Sequence, residues 1–308
     1  MVVAFCLCFG FAVPARAQTT LAIDSLDGEV TQHEVDTFIN YINATPIPTP
    51  QWNGTSPDHN YLADFEGGRA LEATNDLYVI TGDIPSLSSE HTQLLNLAIK
   101  WSDTRLAYRN DLALGEHRVM WTGNIDPVWP PNAPTAADPT YAGCEVTDTI
   151  GHIAYTAYNI LKTPSIWSST VPDGDPYSHG PTYLDRARTY VSMLEFSMSN
   201  YFNKYFIDPN TLLIAPPNSS AWSALNENVD AWNRQIMFLS AYQRLGQIHE
   251  ILEDNPSLAA MYKTIVKNST DAFVKNALPR TAPDASLPGG LHRRHSAADA
   301  NLCRHRCA

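Results

Sequence analysis

Apolar residues along this chain recur three and four positions apart, the period of a helix with one buried face. Thr31 followed by Glu34 is a capping-box pattern, and Val35, Phe38, Ile39 and Ile42 then fall at helical spacing. A Pro-rich loop covers 46–59, and a second helix runs from about Asp64 to Ile80, stopped by Thr81-Gly82-Asp83. Pro85 opens a third, with Leu94, Leu95, Leu97, Ala98, Trp101, Leu106 and Ala107 as its apolar positions. No period organises 110–142, and a loop of that length inside a domain is usually functional. The fourth helix spans Gly143 to Lys162, and the fifth begins at Pro181, a favoured first position, and ends near Phe206. A sixth runs from about Asn226 to Leu245, where Gly246 marks a bend or stop before the pattern resumes to Leu252. The last spans roughly Ser257 to Ala277. Period-two alternation is absent, so the expected fold is all-α.

Three of these helices close alike, on Leu77-Tyr78-Val79-Ile80, Ala157-Tyr158-Asn159-Ile160 and Ala241-Tyr242-Gln243-Arg244, near an 80-residue recurrence. The recurrence favours an α/α toroid, a ring of helical hairpins in which helices two, four and six are equivalent. Three ordinary amphipathic helices ending on Tyr are the plainer alternative.

The fourth helix sets Val146, Ile150, Ile153, Ala157 and Ile160 on one side and Glu145, Asp148, His152, Tyr155 and Asn159 on the other. Its polar stripe has no Lys or Arg before the last turn and consists of proton-handling groups. Such a face suits a helix lining a partly enclosed polar site, although a solvated face with a His among acids is the bland alternative.

The composition, 44% hydrophobic and 17% charged over 308 residues, is globular. A formal net charge of −12 argues against nucleic acid or anionic membranes as partners. Residues 1–17 read as a signal peptide, with an apolar run and Ala15-Arg16-Ala17 as the small-x-small cleavage pattern. The expected globular domain is 18–278, and 279–308 reads as a disordered tail or a stretch standing in place of further helices. Acceptor sequons at Asn43, Asn53, Asn218 and Asn268 agree with a secreted, extracellular glycoprotein. Cys144 is expected as a buried thiol, and Cys303 could pair with Cys307 in the tail. The tail's Cys and His residues do not match a closed zinc site, so neither metal nor cofactor is expected.

Several segments, ALEATNDLYVITGD, WSDTRLAYRND, GCEVTDTIGH and YLDRARTYV, resemble the α/α-toroid polysaccharide lyases, most of all the alginate- and glucuronan-degrading families. The resemblance covers about residues 60–250. In one such family a Glu and a His seven residues apart form the site with an Asn, an Arg and a Tyr. Glu145 and His152 match that spacing. The family's Arg and Tyr lie six apart, whereas the nearest pair here, Arg234 and Tyr242, lies eight apart.

The resemblance implies a secreted lyase that cleaves an acidic, uronate-containing polysaccharide by β-elimination. Catalytic candidates are Glu145, His152, Arg234, Tyr155 and Tyr242, in the roles of acid, base and carboxylate clamp. Substrate-binding candidates are Asn233, Asn124, His179, Trp121 and Trp129, the two indoles serving as stacking platforms or as loop anchors in the core. A glycoside hydrolase built on Glu145 with Asp64, Glu66 or Asp230 remains open. So does a carbohydrate-binding protein that has lost part of the site.

Overall fold

In the computed structural model the described residues are 30–45, 47, 65–130, 141–224 and 232–276. The signal peptide, the Pro-rich loop, the start of helix six and the tail lie outside them, as do Asp64, Asp230 and the domain limits. Among the described residues the regular structure is helical, with two isolated β-bridges and no strand. The long helices are α1 (Gln32–Ala44), α2 (Phe65–Thr81), α3 (Ser88–Ala107), α4 (Cys144–Leu161), α5 (Tyr183–Ser197), α6 (Trp232–Leu252) and α7 (Pro256–Asn276).

Local chemistry sets several of these ends. Thr31 Oγ1 accepts from Glu34 N at 3.3 Å while Glu34 Oε2 accepts from Thr31 N at 2.9 Å, so the capping box is formed. Thr182 accepts from Asp185 N at the start of α5. A 3₁₀ turn at Pro85–Leu87 precedes α3, and a π-turn at Met198–Phe202 prolongs α5.

The helices form three antiparallel hairpins: α2 with α3, α4 with α5, and α6 with α7. Pairs between α2 and α4 advance together, from Glu72 with His152, through Asn75 with Asn159, to Tyr78 with Thr163. Between α4 and α6 the order is Gly151 beside Ser240, then Tyr155 beneath Arg244. Hence α2, α4 and α6 run parallel, side by side, with α4 in the middle. Ser102 meeting Thr156 and Arg105 meeting Thr149 turn α3 the opposite way.

The core lies between the two layers. Val146, Ile150, Ile153, Ala157 and Ile160 of α4 are fully buried, and burying each of the Val and Ile side chains favours folding by about 1.5–3 kcal/mol. Gly151 permits close approach of α4 and α6. A Cβ on Gly151 would stand 2.3 Å from Ser240 Oγ and 3.2 Å from Ala241 N. Gly246 does not stop α6, one of the two outcomes the sequence suggested, and the helix continues unbroken to Leu252. A Cβ on Gly246 would stand 3.4 Å from Tyr262 Cβ and 3.8 Å from Ala259 O, ordinary contact distances.

The three recurrent tyrosines do not share one environment. Tyr78 stacks on His91 and meets Thr163, whereas Tyr242 packs on Tyr262 and donates to Asn203 Oδ1. The loop after α3 is built around buried Asn110, whose amide bonds Arg118 O at 2.9 Å and accepts from Arg118 N at 2.8 Å. Of the sequon asparagines, Asn43 and Asn218 are exposed, Asn268 donates to Thr211 O, and Asn53 lies outside the described residues.

Candidate active site

Where α2, α4 and α6 lie side by side, their polar faces meet on Glu72. His152 Nδ1 donates to Glu72 Oε2 at 2.5 Å, and Arg244 Nη1 donates to the same oxygen at 2.9 Å. Arg244 Nη2 takes the other carboxylate oxygen, and Nη1 also donates to Gly151 O at 3.0 Å. The guanidinium lies 4.2 Å from the centroid of the Tyr155 ring, a cation–π stack that orients it further. Asp76 lies close enough to Tyr155 to act on the charge of its hydroxyl.

His152 is deeply buried, with Asp148 Oδ2 3.2 Å from Nε2, off the axis a hydrogen bond would need. Gly68 of α2 makes room for the ring, since a Cβ there would stand 2.8 Å from Cδ2 and 2.9 Å from Nε2. Glu72, Asp148 and Arg244 keep 28%, 26% and 18% of their side-chain surface, so water reaches one side of the cluster. Deeper in, Asn75 donates to Thr156 Oγ1 and accepts from Asn159, and Ser102 donates to Thr156. That buried neutral layer holds the register of α2, α3 and α4, and it absorbs Asn159 from the polar stripe.

The charges follow from these contacts. Burial would raise Glu72, but hydrogen bonds and charge from His152 and Arg244 override it and hold the carboxyl at about 2. Burial would likewise lower His152, and the carboxylates of Asp148 and Glu72 override it and raise its pKa. Tyr155 is pushed up to about 12, mainly by burial and then by Asp76. At neutral pH the cluster holds ionised Glu72, a cation-favouring imidazole, a guanidinium and a neutral phenol. It can neutralise an anionic group and give up a proton. Among the described residues no set of three His, Cys, Asp or Glu side chains is placed to hold a metal ion.

The structure brings together two of the sequence candidates, His152 and Tyr155. Glu145 falls in the first turn of α4, and its side chain lies outside the described residues. Tyr242 is fully buried against α7, with its hydroxyl on Asn203. Asn233 is exposed and Arg234 half-buried in the first turn of α6, about two turns or more before Arg244.

The loop candidates divide. Trp129 has no exposed surface and its Nε1 donates to Arg105 O at 2.6 Å, which makes it the loop's anchor in the core. Trp121 is half-buried with Nε1 on Tyr201 OH, and Asn124 sits exposed in the adjoining turn. His179 belongs to a separate buried network, in which its Nδ1 lies 3.0 Å from Asp103 Oδ1. Asp103 also takes Arg186 and, at 2.5 Å, the Tyr190 hydroxyl.

Sequence reasoning missed Glu72, Asp76, Gly68 and Arg244. A signal for one was present: Glu72 precedes His152 by 80 residues, the recurrence that pairs α2 with α4. Comparison with known proteins finds no family model that matches the chain, and no curated protein or solved structure significantly similar to it.

Proposed function

We propose that the chain is a secreted lyase on an α/α-toroid frame, cleaving a uronate-containing polysaccharide of the glucuronan or alginate type by β-elimination. The observation that carries this reading is the gathering of Arg244 and Tyr155, with His152 buried beneath them, around a single carboxylate, Glu72, where water reaches one side of the cluster. The three hairpins with parallel α2, α4 and α6 are what a sector of such a ring would contain.

The roles follow from the charge states. Elimination removes the proton at C5 of a uronate, forms the C4–C5 double bond and expels the 4-linked sugar, whose oxygen takes a proton. Arg244 offsets the substrate carboxylate and the charge that builds on it. Asp148, part-exposed and 3.2 Å from His152 Nε2, takes the C5 proton and passes it to His152 once that ring is deprotonated. Tyr155, neutral across the physiological range, gives its proton to the leaving oxygen. Because its neighbours raise His152, the base form grows in only above its ordinary value of 6.5, and the rate rises with pH on that side.

Purified protein incubated with glucuronan, alginate and pectate tests this by ultraviolet absorbance of the unsaturated product. New reducing ends without that absorbance would mark a glycoside hydrolase. Glu72, ionised down to about 2, is unsuited to be the protonated acid that a hydrolase needs. A second reading is favoured by the engagement of both Glu72 oxygens: the cluster is a structural clasp in a saccharide-binding protein, and neither product forms.

A further inference from the structure

A cleft of about 600 Å³ opens between the loop that follows α3 and the segment that leads from α5 towards α6. Its size is within the roughly 300–1,000 Å³ usual for small-molecule sites. It shares no residue with the Glu72–His152 cluster. Trp121, Tyr205, Lys204, Asp208, Asn210 and Asn218 are among its lining residues.

The lining is pre-formed. Trp121 is fixed by the bond from Nε1 to Tyr201 OH at 2.7 Å, and its ring meets Tyr205 at 5.2 Å and Trp222 at 5.4 Å between centroids, both edge-on. Asp208 Oδ1 accepts from Asn210 N at 2.7 Å and Thr211 N at 3.1 Å, and a bridge between Ile207 and Ile214 closes that turn. The Lys204 ammonium stands over the Tyr205 ring, 4.7 Å from its centroid. Thus a rigid, half-exposed indole adjoins a phenol, an exposed cation and two exposed amides.

We propose that this cleft is a second binding site, for a pyranose oligosaccharide. The apolar face of a sugar ring stacks on the Trp121 indole. Asn210, Asn218 and Lys204 supply partners for hydroxyl or carboxylate groups. The site stands on geometry outside the His152 cluster and does not require that cluster to be catalytic.

Titration of the full chain with tetrasaccharides of glucuronan, alginate and cellulose, followed by tryptophan fluorescence and calorimetry, tests the proposal. The Asn218→Gln variant is titrated in parallel, so that a glycan on that acceptor is absent from the rim. At least one tetrasaccharide should bind in one of the two proteins. Trp121→Ala should weaken it by about tenfold, equivalent to 1.4 kcal/mol, and by the same factor when the titration is repeated in a His152→Ala background. Because Trp121 also packs on its neighbours, the surface variants Asn210→Ala and Lys204→Ala are measured beside it, with melting curves. Weakened binding in folded surface variants supports the site even if Trp121→Ala does not fold. Absence of binding by every tetrasaccharide in both proteins, or binding that His152→Ala abolishes while Asn210→Ala and Lys204→Ala leave it intact, would overturn it. Failure of the lyase assay alone would not.

Discussion

His152 carries two consequences that can be separated by experiment. As the final proton acceptor of the proposed elimination, its replacement by Ala should lower turnover by about 10²-fold or more. Tyr155→Phe keeps the ring under Arg244 but loses the hydroxyl; it too should lose turnover, with stability changed by only about 1 kcal/mol. Full activity in both variants would refute the assignment. The second consequence is the pH dependence of stability. A histidine whose folded pKa lies above its unfolded value stabilises fully below that value, 6.5, and loses the effect as pH rises through the folded pKa. Glu72 is the mirror case, stabilising fully above 4.5 and losing the effect as pH falls towards about 2. Chemical denaturation of wild type and His152→Gln across pH 5–9 should therefore show a stability gap that narrows as pH rises. A gap that widens with pH would show that the carboxylates do not govern the imidazole. His249, raised by Glu195 and Asp254, adds to the same trend, whereas His91 and His179, lowered by burial, oppose it. The comparison with a single-site variant removes these other groups from the result.

At the scale of elements, two glycines set how closely the row of helices packs. An exposed helical Gly→Ala gains about 1 kcal/mol from backbone propensity. At Gly151 that gain is outweighed, because the new methyl would press on Ser240 Oγ and the α6 backbone. Overpacking of this kind costs roughly 1–3 kcal/mol. Gly151→Ala should lower the melting temperature, and the double variant Gly151→Ala with Ser240→Gly should recover part of it by removing the nearest contact. A rise in melting temperature for Gly151→Ala alone would show that α4 and α6 do not approach so closely. Gly68→Ala acts on the His152 ring instead, so its effect on turnover should exceed its effect on stability.

For the whole molecule, Asp103 is the joint between the outer helices. Its carboxylate receives Arg186, Tyr190 and His179 at once, and Asp175 meets Arg186 Nη2 at 3.1 Å. Arg186 has no exposed surface, so Asp103→Ala strands a buried cation and should cost about 3–5 kcal/mol. Equilibrium urea unfolding measures it, and a loss under about 1 kcal/mol would show that Asp175 alone suffices. No described helix is long and apolar enough to cross a membrane. Helix positions, the Thr31 cap, the α3 entry turn and the all-helical character were legible in the sequence. Each depends on backbone bonds and side chains within about four residues of one another. The polar stripe of α4 was legible for the same reason. Tertiary packing alone decided which stripe residues met a partner: Glu72 reaches His152 from 80 residues away and Arg244 reaches Tyr155 from 89. It also sent Trp129 into the core and left Trp121 beside a cleft, turned His179 into a strut, and carried α6 on past Gly246. Those outcomes depend on the rotation and crossing of every helix at once, a property of the packed layers that no local period encodes.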